Sequence, residues 1–362
     1  MAKFRSSWNV TLTEKIKSKA HELGFELTGV APVEPFPELD FYRTWIEAGY
    51  AGEMHYLKRG IDKRENISQI VPEAKSVIAC GMVYNTVHPL STEARYPDKG
   101  WISRYSWGDD YHDILQKKLF ELVDYIKSES TDEFISRLYV DTGPVLDRVY
   151  ARYAGLGWFG KNTCLINQKL GSWFFLGEII TSLELDYDAI APDRCGSCNR
   201  CIEACPTDAI LEPYILDSRK CISYLTIELR DEIPVEFRKG IGNHVYGCDI
   251  CQDVCPWNRK AATTELESFQ PRAGLLAPDL ARLARMTIED FRELFRKSPV
   301  KRTRYTGLMR NIMVAIGNSG NPKFLEILDE LAVHEDPWIS EHAKWAKGEI
   351  LKENLNNEQE SD

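Results

Sequence analysis

Eight of the ten cysteines in this 362-residue chain fall between positions 195 and 255, in two runs with fixed spacing. The first run reads Cys195-Gly-Ser-Cys198-Asn-Arg-Cys201-Ile-Glu-Ala-Cys205-Pro206, a C-x2-C-x2-C-x3-C-P pattern. Three thiolates at that spacing wrap one [4Fe–4S] cubane, and the fourth, too far along the chain, ligates a second cluster. The second run, Cys248-Asp-Ile-Cys251-Gln-Asp-Val-Cys255-Pro256, lacks its leading cysteine, because Val245 stands in that place. Cys221, between the runs, closes the count. One cluster is then expected on Cys195, Cys198, Cys201 and Cys255, the other on Cys205, Cys221, Cys248 and Cys251. Cys80 and Cys164 are left over.

Competing uses of cysteine fit less well. Disulfides are rare in cytosolic chains of this size. Paired zinc sites need neither two Cys-Pro ends nor an offset fourth ligand. Cys80 lies in an apolar run and reads as a buried, inert thiol. Two adjacent clusters make a wire, and a bacterial-type two-cluster unit needs about 60 residues. The remaining ~300 residues exceed a full domain, so the chain is expected to be an enzyme rather than a carrier.

Elsewhere the pattern mixes strands and helices. Thr11 and Glu14 have capping-box spacing, Ile16, Ala20 and Leu23 mark a helical face, and Gly24 is a stop. Strands are expected over 25–31, 76–84 and 137–141, with helices over 109–129 and 145–154. Residues 164–167 and 172–180 read as a hairpin about a turn at 169–171. After about residue 277 only helical segments remain, at 308–316, 323–332 and 339–351, resembling HEAT-type pairs or a plain helical cap. The fold class expected is mixed, α+β or α/β. It comprises an N-terminal α/β domain (1–185), a ferredoxin-like two-cluster domain (186–265) and a C-terminal HEAT-like helical domain (275–355).

No apolar run approaches the ~18 residues that span a bilayer. Residues 1–10 lack the core of a secretory signal and a twin-arginine pair. The expectation is a cytoplasmic monomer away from membranes. A net charge of −10 disfavours a non-specific nucleic-acid coat. Against that background, seven Arg and Lys residues between 292 and 310 face Glu293 alone. Gly155-Leu-Gly157-Trp-Phe-Gly160 matches G-x-G-x-x-G, with Glu178 near the expected acidic distance. It follows a helix and leads to a strand, the reverse of a dinucleotide loop, so the glycines are read as allowing close backbone packing or approach to a flat ligand. Asp141 ends a strand before Thr142-Gly143-Pro144. Its plain reading is a turn or cap residue, and its functional one is an acid whose pKa an apolar pocket raises.

Several segments carry a resemblance: Ser103-Arg-Tyr-Ser-Trp-Gly-Asp-Asp-Tyr-His112, Val140-Asp-Thr-Gly143 with Asp147-Arg148, Gly160-Lys-Asn162 and Gly171-Ser172. Both cysteine runs, Arg219-Lys-Cys-Ile-Ser-Tyr-Leu-Thr226 and the helical tail extend it over most of the chain. Together they resemble the epoxyqueuosine reductases, cobalamin-dependent tRNA-modifying enzymes. The resemblance implies a base-off cobalamin in the N-terminal domain, fed through both clusters by an external donor of flavodoxin or ferredoxin type and giving a strongly reducing Co(I). The substrate implied is epoxyqueuosine at the wobble position of a tRNA, reduced to queuosine with loss of water in the last step of that pathway. It implies Asp141 as proton donor. It also implies cobalamin contacts from Arg64, Ser103, Asp141, Arg148 and Ser223, and from the backbone near Leu165 and Leu176. Tyr105, Trp107 and Trp158 are candidates to stack on base or corrin, and equally for the core. The basic segment gains a use, with Lys301, Arg302, Arg304 and Arg310 expected on anticodon-stem phosphates. Its plain alternative is a solvated helix face. The competing functions are a reductive dehalogenase-like reductase of a small substrate and a non-enzymatic iron–sulfur electron-transfer module.

Overall fold

The computed structural model describes residues 10–93 and 97–359, so most of the 1–10 stretch read for a signal lies outside the described residues. The N-terminal part runs α1 (Leu12–Glu22), β1 (Leu27–Pro32), α2 (Glu38–Glu47), the short α3 (His55–Lys58) and α4 (Ile61–Glu65), and β2 (Ser76–Val83). Next come β3 (Trp101–Ile102), α5 (Tyr111–Glu129), β4 (Ser136–Tyr139) and α6 (Asp147–Tyr153). They are followed by β5 (Trp158–Phe159), β6 (Leu165–Ile166) and β7 (Phe174–Thr181).

The local signals act as expected. The Glu14 N–H donates to Thr11 Oγ1 at 3.3 Å while the Thr11 N–H donates to Glu14 Oε2 at 2.9 Å, closing the capping box of α1. Gly24 ends that helix at φ +91°, a left-handed position that favours glycine. Asp110 caps α5, whose Leu115, Leu119, Leu122, Val123 and Ile126 are all buried.

The central sheet has the order β1-β2-β7-β4, and every pair is antiparallel. On one face Val30, Ile78, Cys80 and Ile179 pack under α1 and α5. On the other, Ala31, Val77, Ala79, Phe174 and Ile180 pack under α6. Cover on both faces explains why β2, buried at every residue, reads as a continuous apolar run. The expected hairpin does not form. Asn167 and Gly171 do bridge across the turn, but β6 pairs back onto β5, while β7 leaves to lie between β2 and β4.

The cysteine region contains α7 (Arg200–Glu203), the β8 (Ile210–Glu212) and β9 (Ile215–Leu216) ribbon, α8 (Ile222–Ile227), α9 (Val235–Ile241), β10 (His244–Tyr246) and α10 (Ile250–Asp253). The chain ends in α11 (Leu280–Ala284), α12 (Ile288–Leu294), α13 (Arg304–Asn318), α14 (Leu325–Leu331) and α15 (Pro337–Gln359). The first two of these were not foreseen. Helix α13 is buried from Gly307 to Gly317 and packs on α15. Its core also takes in Trp101, Ile102, Trp107, Val245 and Tyr246, and β3 pairs in parallel with β10. The helical end is thereby joined to both preceding regions, and the architecture is mixed α+β.

Candidate active site

One cavity of about 1320 Å³ opens where these regions meet, larger than the ~300–1,000 Å³ of ordinary small-molecule pockets. Alternation along β7 turns Phe174 and Leu176 towards it. Helices α2 and α4 bring Tyr42, Trp45 and Arg64, the start of α8 brings Cys221, Ser223 and Tyr224, and Arg302 completes the wall. The β4–α6 connection supplies Asp141, Asp147 and Arg148. The switch-point rule for parallel sheets does not apply to this antiparallel one, and the loop itself makes the site. Asp141 sits there at φ +58°. At Gly143 a Cβ would lie 2.4 Å from the Tyr139 ring, so the turn needs glycine.

The charge around Asp141 is organised by the first turn of α5. The Tyr111 hydroxyl donates to Asp141 Oδ2 at 3.0 Å, and His112 Nε2 lies 3.6 Å from the same oxygen, an ion-pair rather than a hydrogen-bond separation. His112 Nδ1 is 2.7 Å from Asp110 Oδ1. Burial alone would lower the His112 pKa, but bonds to Asp110 and Asp141 outweigh it and raise it to about 9. The cavity walls around Asp141, whose side chain is itself exposed, would likewise raise it, yet His112 and Tyr111 hold its carboxyl below the ordinary value. The expected raised acid is therefore not what the open cavity holds. The proton rests on His112, poised against an ionised Asp141.

Thiols of the two cysteine runs lie close enough to raise one another. Burial pushes the Cys201 thiol up to about 11, with Cys255 next in effect and Cys195 also adding. Cys255 is raised by burial and by its neighbours Cys195, Cys164 and Cys198. Cys248 is raised by burial, then by Cys221 and Cys205, and Cys251 has Cys248 and Cys221 among its neighbours. The leftover Cys164 hydrogen-bonds to Cys251. Cys80 is buried and raised to about 12, as an inert thiol should be. Because Cys221 and Ser223 line the cavity, the second thiol group abuts it.

Of the expected cofactor contacts, Arg64, Asp141, Arg148, Leu176 and Ser223 line the cavity. Arg64 donates to Arg59 O and Arg148 to Thr163 O, which fixes both guanidiniums. Ser103 does not reach it. Its side chain is buried and donates to Asp249, which also takes the Trp101 indole at 3.2 Å and the Arg104 N–H at 2.8 Å. Ser103 thus ties β3 to the second cysteine run. Leu165 is buried in the β5–β6 pair, and Gly160 and Thr163 line the cavity in its stead. Tyr105 and Trp158 line it, whereas Trp107 is core. Arg310 is corrected outright. It is wholly buried and donates to the Leu225, Leu229 and Asp231 carbonyls, out of reach of any phosphate. Lys301, Arg302 and Arg304 are exposed, and Arg302 pairs with Glu228 over the Tyr56 ring at 5.3 Å. Tyr111 and His112 lay inside the motif read from sequence, but their hold on Asp141 depends on a contact 30 residues long.

Fold and cavity define an iron–sulfur oxidoreductase whose reaction space lies against one of its cysteine groups. A family described as "4Fe-4S double cluster binding domain" matches residues 194–258, and one described as "Epoxyqueuosine reductase QueG, DUF1730" matches 64–142. The chain belongs to the epoxyqueuosine reductase family. It is 41% identical over 344 residues to the epoxyqueuosine reductase of Pseudomonas aeruginosa, covering 92% of this chain and 93% of that one. With that of Escherichia coli K12 it shares 38% over 336 residues, covering 92% and 88%. Among solved structures, an epoxyqueuosine reductase with an epoxyqueuosine-modified tRNA-Tyr stem loop superposes with a TM-score of 0.86 at 32% identity, covering 94% and 90%. The Bacillus subtilis enzyme, its catalytic aspartate loop swung out of the active site, gives 0.85 at 32% identity over 94% and 90%.

Proposed function

We propose that this chain reduces epoxyqueuosine at the wobble position of a tRNA to queuosine. The observation that carries the reading is the cavity itself, walled on one side by Cys221 and Ser223 and on another by Asp141. An electron supply and an acid meet there in one space. The two clusters are assigned to Cys195, Cys198, Cys201 and Cys255, and to Cys205, Cys221, Cys248 and Cys251. Electrons enter from an external donor of flavodoxin or ferredoxin type.

The residues present fit a base-off cobalamin. The volume is ample, no histidine is among the described residues that line it, and the buried Trp158 indole N–H has no partner within the protein. Such a donor, with Arg64, Arg148 and Ser223, suits the peripheral amides of a corrin. When bound, the cofactor supplies a strongly nucleophilic reductant for the epoxide carbon. The protein orients the base, excludes water and passes a proton from His112 through Asp141 to the departing oxygen. An anticodon base reaches so deep a site only when extruded from its loop, where unstacking costs little. Lys301, Arg302 and Arg304 then meet the phosphates of the stem. Residues 1–185 supply most of the wall around cofactor and base, 186–265 hold the clusters and 275–355 form the helical tRNA platform, in a cytoplasmic monomer. The test is nucleoside analysis of tRNA from a strain lacking this protein. Accumulated epoxyqueuosine, converted by the restored protein, supports the reading, and normal queuosine without it refutes it.

A further inference from the structure

Turning an epoxide into an alkene consumes two electrons and two protons. Both C–O bonds break, a C=C bond forms, and the oxygen leaves as water. Two one-electron clusters, charged by the external donor, account for the electrons. Asp141 accounts for one proton at a time, in a cavity that cofactor and base would close to water.

Two acids near that cavity have no role in the scheme so far. Glu178 lies in the middle of β7, opposite Ala79 of β2 and Tyr139 of β4. Alternation puts it on the same face as Phe174, Leu176 and Ile180, beneath α6. It is wholly buried, and neither carboxyl oxygen has a hydrogen-bond partner. Asp147, the first residue of α6, lines the cavity, and its Oδ1 is also buried without a partner. Helix α6 packs on β7, so the two acids occupy one layer, and Asp141 begins the loop that leads into that helix. A carboxylate buried without a donor is costly, whereas a protonated acid is tolerated.

We infer that Asp147 and Glu178 form a buried proton store behind Asp141, from which Asp141 is recharged within a single turnover. The inference rests on the proposed function for the proton's destination, not for its presence. Asp141, taking the proton that rests on His112, protonates the epoxide oxygen as the first C–O bond breaks. A proton passing from Asp147 then restores the Asp141 acid. Its second delivery carries the oxygen away as water, and solvent refills the store once the site reopens. Neither residue touches the substrate, and both act through Asp141. The electrostatics agree. Burial, and then Asp141, push Asp147 up to about 7 against the opposing charges of Arg148 and Arg64. Glu178 stands well above its ordinary value through burial, with Asp147 and Asp141 adding.

The test pairs infrared spectroscopy of the protein with single-turnover reduction of an epoxyqueuosine stem loop by the reduced, cobalamin-loaded enzyme. Beside the band of Asp253, which also titrates near pH 7, the wild type should show two carbonyl bands of protonated carboxyls, one titrating near pH 7 and one persisting above it. Asp147→Asn should remove the first band and Glu178→Gln the second. Asp147→Asn should also slow turnover about a hundredfold and flatten its decline above pH 7, while Asp147→Glu restores both. Turnover by a wild type that shows neither band would overturn the store, as would an unchanged pH profile in Asp147→Asn. Both bands in a wild type that leaves the stem loop unreduced would instead overturn the proposed function. If Glu178→Gln fails to fold, the wild-type bands and Asp147→Asn decide alone.

Discussion

The Tyr111 hydroxyl donates to Asp141 Oδ2 at 3.0 Å, and its ring lies flat on Phe175 with centroids 4.2 Å apart. The stack holds a donor rigidly beside an acid whose own backbone is held left-handed at φ +58°. Position, more than an apolar surrounding, is therefore what this acid is given.

Asp141→Asn keeps shape and loses the transferable proton. Single-turnover reduction should fall by about 10²–10⁴ while affinity for the stem loop stays near wild type. Tyr111→Phe keeps the stack and loses one hydrogen bond, so its rate should fall less, by about tenfold. Rapid-quench assays of bound stem loop separate the two. Wild-type turnover in Asp141→Asn would remove the residue from the chemistry.

His112 gives the fold a pH dependence. Its pKa rises from 6.5 to about 9, so the stability it contributes is complete below pH 6.5 and disappears as pH climbs through about 9. Asp110 and Asp141, both held below 3.8, lose theirs only as pH falls beneath that value. The melting temperature should therefore decline between pH 6.5 and 9 in the wild type, and less steeply in His112→Asn, where the raised acids Glu178 and Asp147 still contribute.

Local rules carried the reading where the chain itself makes the contact. The capping box at Thr11 and the buried stripe of α5 are open to inspection, because each depends on spacing alone. Long-range pairing is not. The turn at 169–171 does bridge, yet β7 answers to β2 and β4, and nothing near that turn encodes the choice. Charge runs hide direction as well. Arg302 and Arg310 sit eight residues apart, one at the cavity and one sealed in the core. Glu178 is the single charge in an apolar strand, and its spacing from the glycine motif is incidental to its burial beneath α6.

Arg310→Met should destabilise the protein by roughly 2–4 kcal/mol, because the Leu225, Leu229 and Asp231 carbonyls lose their donor. Arg304→Glu, at an exposed position, should leave the denaturation midpoint almost unchanged. It should weaken stem-loop binding and reduce the salt slope by about one. Denaturant titration and salt-dependent binding, run on both variants, should show opposite patterns.

The cysteine assignment predicts an asymmetric loss. Anaerobically prepared wild type should contain about eight irons. Cys221→Ser should cost the second cluster, leaving about four irons and no electron path to a cavity that Cys221 itself lines. Cys80→Ser changes a thiol buried between β1 and β7, on the far side of the sheet from α6, and should keep all eight. Iron analysis with electron paramagnetic resonance of the reduced protein reads both results. The informative variant is Cys164→Ser. That thiol hydrogen-bonds to Cys251, so if it were the true eighth ligand, its loss rather than that of Cys221 would halve the iron. The spacing argument requires the opposite, with Cys164→Ser retaining both clusters.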